Sequence, residues 1–266
     1  MKHAPRKRFG QHFLTDASIL AGIGDAVDPC DGERLVEIGP GLGALTGELL
    51  DRIGHLDAVE IDRDLVARLR KTWPPARLTV HEADALSFDF AALAGAGRLR
   101  LVGNLPYNIS SPLLIRLLAY GAVIVDAHFM LQKEVVDRIV SVPGIADFGR
   151  LSVMMQACFR VEKLFDVPPE AFDPPPRVMS SVVRLRPRAA PLARDIATLE
   201  RLMAAAFAQR RKMLRGTLLP WLREQGLDLE QAGLALEPTA RPEEIAVESW
   251  CRIADALWSL SERCAR

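Results

Sequence analysis

The sequence predicts an α/β protein, a largely parallel, doubly wound sheet followed by a small all-helical domain. Three observations carry this. Short apolar runs alternate with amphipathic stretches through the first two-thirds of the chain, and one of those runs enters a glycine-rich turn. Strand-like runs then stop after the segment Arg186-Pro187-Arg188-Ala189-Ala190-Pro191. Candidate strands are 34–38, 56–61, 78–82, 99–102, 122–131, part of 153–165, and 180–185; candidate helices between them are 42–52, 65–71, 112–118 and 133–140. Strand alternating with helix implies parallel pairing through right-handed crossovers. Beyond the Pro-rich segment the apolar spacing is helical over 196–209, 218–224 and about 243–260. Two domains are therefore expected, 1–189 and 190–266.

Composition narrows the class. Hydrophobic residues are 49% and charged residues 26% of the 266, a globular balance that argues against disorder. The most apolar run, 119–131, is interrupted by Asp126 and His128 and falls short of the roughly 18 residues a membrane span requires. It reads as a buried strand. The basic start has no apolar stretch behind it of the kind a signal peptide needs. The four cysteines are scattered, with no Cys-x-x-Cys pair, and the five histidines show no ligand spacing. Free thiols in a reducing cytoplasm and no metal site are the expectation, and nothing in the sequence demands more than a monomer.

Net charge is zero, yet its distribution is uneven. Lys2, Arg6, Lys7 and Arg8 precede the first acid, Asp16; Arg177, Arg184, Arg186 and Arg188 form a second basic cluster; Arg210, Arg211, Lys212 and Arg215 form a third. Acids dominate 31–62 instead. Any one cluster reads equally well as solvated surface, but three together suit a polyanion such as RNA.

The sharpest local pattern is Val36-Glu37-Ile38-Gly39-Pro40-Gly41-Leu42-Gly43-Ala44, an apolar strand running through glycines into a helix. Gly39 and Gly41 would allow a ligand to approach the backbone closely. About 21 residues after Gly39, Glu60 ends the next apolar strand, where a carboxylate can accept from both hydroxyls of a ribose. Taken alone, this pair fits NAD equally well, or a tight turn with no ligand. Asp84, after the third strand, is placed to accept from an adenine amine. The fourth strand ends in Asn104-Leu105-Pro106-Tyr107, for which a dehydrogenase has no use.

That tetrapeptide suits a particular reaction. The adenine N6 amine is a poor nucleophile because its lone pair is delocalised into the ring. Two acceptors aimed at the N6 hydrogens, the Asn104 side-chain oxygen and the Leu105 carbonyl held before Pro106, would localise that pair toward a methyl sulfonium. Tyr107 offers a face for an unstacked base. In-line transfer then needs alignment more than a strong base.

On these residues the chain resembles the small-subunit (16S) rRNA adenine N6,N6-dimethyltransferases, from about Arg8 to the C-terminus. Phe9-Gly10-Gln11-His12-Phe13-Leu14, Glu37 to Thr46 and Asn104 to Tyr107 follow that family's motifs. So do Leu131 to Val135, Gly149 to Val153, Val167 to Phe172, Pro174 to Val178 and Gln209 to Lys212. The resemblance implies a Rossmann-like class I methyltransferase sheet, with S-adenosyl-L-methionine as cofactor. It further implies that His12 and Leu14 line the methionine end, Gly39 the backbone side, Glu60 the ribose and Asp84 the adenine. Asn104 would face sulfonium and amine, with Phe172 a second stacking surface opposite Tyr107. The implied substrate is a pair of adjacent adenosines in the 3′-terminal hairpin of 16S rRNA, dimethylated during small-subunit assembly. Two departures sit beside the implied base pocket: Met179-Ser180-Ser181 stands where the family usually has Asp-Ser-Ala, and Asp173 replaces a more usual aromatic or polar residue.

The rivals are a 23S rRNA adenine N6-methyltransferase of the macrolide-resistance type, a non-catalytic ribosome assembly factor, and an NAD oxidoreductase. The long C-terminal region and Pro174-Pro175-Pro176 favour the small-subunit reading. Intact Glu60, Asp84, Asn104 and Tyr107 weigh against a factor that has lost catalysis.

Overall fold

A computed structural model describes residues 12–264; the first basic cluster and Phe9, Gly10 and Gln11 lie outside them. The chain divides into two compact units, residues up to Val136 with Val161–Pro187, and Asp137–Arg160 with the chain from Arg188 onward. The second unit thus resumes close to the expected break at 189, but it also takes in 137–160, which the sequence reading left in the first domain.

The elements begin with β1 (Phe13–Leu14), α1 (Ala17–Val27), β2 (Arg34–Ile38), α2 (Ala44–Leu50), β3 (Leu56–Glu60) and α3 (Arg63–Thr72). Next come β4 (Leu78–Glu82), α4 (Phe90–Ala94), β5 (Leu99–Asn104), α5 (Ser110–Leu117), β6 (Ile124–Gln132), α6 (Lys133–Val140) and α7 (Arg150–Cys158). Then follow β7 (Phe159–Val167), β8 (Phe172–Asp173), β9 (Ser180–Pro187), α8 (Ile196–Phe207), α9 (Leu218–Glu224) and α10 (Val247–Cys264).

The main sheet has the order β4-β3-β2-β5-β6-β9-β7. Its first five strands are parallel, and β9 runs antiparallel to β6. The chain starts the sheet in the middle, at β2, winds outward to β4, then returns to β5 on the other side of β2. This reversal opens a crevice at the carboxyl ends of β2 and β5, where ligands bind in such sheets. Local chemistry sets the elements. Buried Leu35, Val36 and Ile38 make β2 a two-sided core strand. Asp16 caps α1 by accepting from the Ser18 and Ile19 amides, and Asp62 caps α3 through Asp64. α3 buries Leu65, Val66 and Leu69 on one stripe. One core joins α1 to the sheet and includes Ile23, Val27, Val102, Met130 and Val182.

In the second unit α7, α8 and α10 pack on one another. Phe148, Leu199, Leu202 and Trp250 are fully buried there, and Trp250 lies 6.2 Å from the Phe207 ring. Arg210 ties this unit together through Glu243, at 2.6 Å, and the carbonyls of Ala146 and Phe148.

Candidate active site

The strand tips and the turns that follow them enclose one cavity of about 320 Å³ in the first unit. Its wall includes His12, Leu14, Gly39, Gly41, Glu60, Asp84, Asn104, Leu105, Pro106 and Tyr107. Every site residue expected from the sequence is among them except Phe172.

The glycine turn works through its backbone. Gly39 has φ +71°, which an L side chain rarely adopts, and its amide bonds the Val59 carbonyl at 2.9 Å, tying the tips of β2 and β3 together. Gly103 meets a different demand. A Cβ there would lie 2.3 Å from the Ile38 carbonyl oxygen, so only glycine lets β5 run this close to β2 just before Asn104.

Glu60 is 6% exposed; one carboxylate oxygen accepts from the Gly41 amide at 3.2 Å, the other from the Asp62 amide at 2.9 Å. Burial raises its pKa against the pull of those amides. These bonds aim the carboxylate at the cavity while each oxygen keeps a second lone pair. Asp84 is exposed at the loop after β4, and one of its oxygens accepts from the Leu86 amide at 2.9 Å.

Asn104 ends β5. Its side-chain nitrogen donates to the His12 carbonyl at 3.0 Å, which leaves its oxygen as the group with acceptor capacity to offer. The next amide, Leu105, bonds the Met130 carbonyl at 3.1 Å and holds the tetrapeptide on β6. The Pro106 carbonyl accepts from the Ile109 amide and the Ser110 hydroxyl, turning the chain into α5. Tyr107 is half-buried, its hydroxyl 3.0 Å from that of Ser180; burial raises its pKa.

Phe172 lies apart from the others. It is 4% exposed, belongs to the hydrophobic core, and does not reach the cavity wall. The β1–β8 ladder sets it opposite Leu14, so the ring is spent on bracing the short strand that delivers His12 and Leu14. The ring beside Tyr107 is His12 instead, stacked at 5.7 Å and 29°, with Nδ1 2.8 Å from the Pro174 carbonyl. Two other residues were missed as site groups. Glu37 lines the cavity although it reads as one more acid of an acidic stretch, and Ser180 anchors Tyr107. A charge inside an otherwise apolar strand was the available signal for the first; nothing local signals the second.

The basic clusters are partly spent on structure. Arg184 pairs with Glu162, Arg188 donates to the Gln156 carbonyl, and Arg210 is committed as above. Arg177, Arg186, Arg211, Lys212 and Arg215 remain exposed. Among the described residues no helix is long and apolar enough to cross a membrane, and no cluster of His, Cys, Asp or Glu could hold a metal.

A five-stranded parallel core with an apolar, glycine-lined cavity at its reversal point defines a Rossmann-like, nucleotide-binding class of protein. Known proteins narrow this further. Residues 2–258 match the ribosomal RNA adenine dimethylase family, and the chain belongs to that family. The "Ribosomal RNA small subunit methyltransferase A" of Bordetella petrii is 58% identical over 258 residues, 96% of each chain. That of Dechloromonas aromatica is 55% identical over 257 residues, 96% of this chain and 98% of the other. Among solved structures, a dimethyladenosine transferase from Plasmodium falciparum shares the fold at a TM-score of 0.78, with 22% identity, covering 94% of this chain and 98% of that one. The 23S rRNA methyltransferase ErmE superimposes at 0.68, with 28% identity, covering 92% and 99%.

Proposed function

We propose that this family member moves methyl groups from S-adenosyl-L-methionine to the N6 amines of two adjacent adenosines in the 3′-terminal hairpin of 16S rRNA, during assembly of the small ribosomal subunit. The observation that carries this is the gathering of Glu60, Asp84 and Asn104 on one cavity wall, at the ends of β3, β4 and β5 on either side of β2. Relatives named for the small subunit reach 53–58% identity, whereas ErmE, named for 23S rRNA, is at 28%. An assembling ribosomal particle as substrate also places the work in the cytoplasm.

The residues fit such a donor. Glu60 accepts from the ribose hydroxyls, Asp84 accepts from the adenine amine with its remaining oxygen, and Gly39 and Gly41 let the ligand lie against bare backbone. His12 and Leu14 close the methionine end. Apolar Ile38, Val59, Ile61 and Ala85 complete a wall suited to a purine. The donor supplies an electrophilic methyl group on a sulfonium.

The chain's part is alignment. The Asn104 oxygen and the Leu105 carbonyl accept the two N6 hydrogens and turn the nitrogen lone pair toward the methyl carbon. Transfer would form the N–C bond as the donor's C–S bond breaks, with the N6 proton released to solvent. Tyr107, fixed at its hydroxyl by Ser180, gives the flipped base a face; the His12 ring now beside it must yield or share that face.

Incubating both ribosomal subunits with labelled methyl donor tests the reading. Label is expected in small-subunit RNA, as dimethyladenosine by mass spectrometry; label confined to large-subunit RNA would overturn it. The exposed Arg177, Arg186, Arg211, Lys212 and Arg215 also set an expectation for RNA affinity. It should fall about tenfold or more between roughly 50 and 200 mM salt, and a flat titration would contradict an electrostatic footing.

A further inference from the structure

Arg116, on α5, is a half-buried cation whose bonds go to neutral groups. Its guanidinium donates through Nη2 to the Phe88 carbonyl at 3.0 Å and to the Tyr120 hydroxyl at 3.0 Å, and it lies 5.5 Å from the centre of the Tyr120 ring. Its Nε is buried and has no hydrogen-bond partner. No carboxylate is among these partners. For stability alone this is a costly arrangement, because an apolar side chain could fill the same place without an orphan donor or an unneutralised charge. The Tyr120 ring is held edge-on to buried Phe90 at 5.5 Å, which limits where the arginine can go.

What Arg116 grips is the far end of the loop that carries Asp84. This loop leaves β4 at Ala83, whose amide bonds the Glu60 carbonyl at 3.0 Å. Asp84 then organises a tight turn. Its carbonyl accepts from the Ser87 and Phe88 amides at 3.0 and 2.9 Å, and one carboxylate oxygen accepts from the Leu86 amide at 2.9 Å. The turn ends at Phe88, whose ring packs on Phe90 at 5.2 Å and on His81 at 5.3 Å, and whose carbonyl takes the Arg116 bond. Asp84 therefore stands between two anchors. One is the backbone of β3; the other is a side chain of α5, the helix into which Asn104 to Tyr107 lead. Asp84 itself is exposed, and an exposed carboxylate is aimed only as well as the backbone beneath it is fixed.

We propose that Arg116 is a positioning residue for the donor's adenine. By holding the Phe88 carbonyl it fixes the turn that aims Asp84, and it ties that turn to the helix behind Asn104. The proposal rests on the reading of the cavity as a site for S-adenosylmethionine with its adenine at Asp84. Arg116 is not on the cavity wall, so its effect passes through Asp84.

A double-mutant cycle on S-adenosylhomocysteine binding, followed by calorimetry, tests this. Arg116→Met, which keeps the aliphatic bulk, should weaken binding about tenfold by itself. Added to Asp84→Ala it should weaken binding by less than about twofold, because the group it aims is gone. Tyr120→Phe keeps the ring on Phe90 and removes one of the two acceptors that hold the guanidinium. It should weaken binding about two- to threefold, again only where Asp84 is intact, and it carries the cycle if Arg116→Met does not fold. Arg116→Lys, which retains a donor, should recover most of the loss. In steady-state methylation Arg116→Met should raise the donor KM by the same factor as the binding loss and leave kcat at saturating donor within about twofold. Wild-type affinity in both the Arg116→Met and Tyr120→Phe variants overturns the proposal. So do losses that recur in full in the Asp84→Ala background, which is what a merely structural role gives. Unchanged binding in Asp84→Ala alone overturns instead the placing of adenine at Asp84.

Discussion

Asn104→Ala is expected to lower turnover at least about 100-fold while leaving donor and RNA binding within a few-fold of wild type. The side chain has two ends with different duties. Its nitrogen is held by the His12 carbonyl at 3.0 Å, and its oxygen is what the site presents to an incoming amine. Removing an aimed acceptor that acts on charge developing in the transition state costs roughly 2.7–4 kcal/mol, or about 100- to 1,000-fold in rate. On the proposed reading, ground-state contacts with ribose, adenine and base fall to Glu60, Asp84 and Tyr107, so affinity should survive. Single-turnover kinetics with the variant, alongside equilibrium binding, reads both quantities. Near-normal turnover would remove the mechanism.

The largest stability effect is expected at the other end of β5. Arg100 donates to both oxygens of Asp126 on β6 at 2.9 Å, to Glu33 at 2.7 Å, and to the Val27 and Asp28 carbonyls where α1 ends. Its side chain is 10% exposed and that of Asp126 is 8% exposed. Arg100→Met strands the Asp126 carboxylate in the interior, and removing one partner of such a pair costs roughly 3–5 kcal/mol. Replacing both partners, with Asp126→Leu added, should recover a large part of that loss. Urea denaturation followed by circular dichroism measures it through the midpoint. A loss under about 1 kcal/mol in the single variant would show that water already satisfies the stranded carboxylate. The donor cavity lies at the opposite ends of the strands, so the folded fraction should bind donor normally.

Much of this was legible in the chain itself, for physical reasons. The β2 run and its glycines, Glu60, Asp84 and Asn104 are fixed by strand ends, and strand ends are local. The helix α9 appears where the spacing puts it, at Leu218–Glu224. Other features depend on contacts distant in sequence. Part of 153–165 was expected to be a strand, but Val153 to Cys158 form most of α7, buried on nearly every side, and a run this apolar carries no clear period to distinguish helix from strand. α1 went unread because two glycines dilute its pattern, while the Asp16 cap and burial against the sheet supply what the propensity lacks. Phe172 was expected as a stacking surface only through the family resemblance. Its pairing with Leu14, 158 residues away in the chain, is what turns it into the core. The membership of 137–160 in the second unit is likewise a matter of distant packing.

The central claim is spatial: a sulfonium-bearing nucleotide lies across the tips of β3 and β2 and ends beside the Asn104 oxygen. A crystal soaked with S-adenosylmethionine, or with its thioether product, measures this directly. The expected density has adenine at Asp84, ribose hydroxyls on Glu60, and the sulfur facing Asn104 with the amide nitrogen still on the His12 carbonyl. Density placing the sulfur away from Asn104, with that side chain turned out of the cavity, would contradict the account.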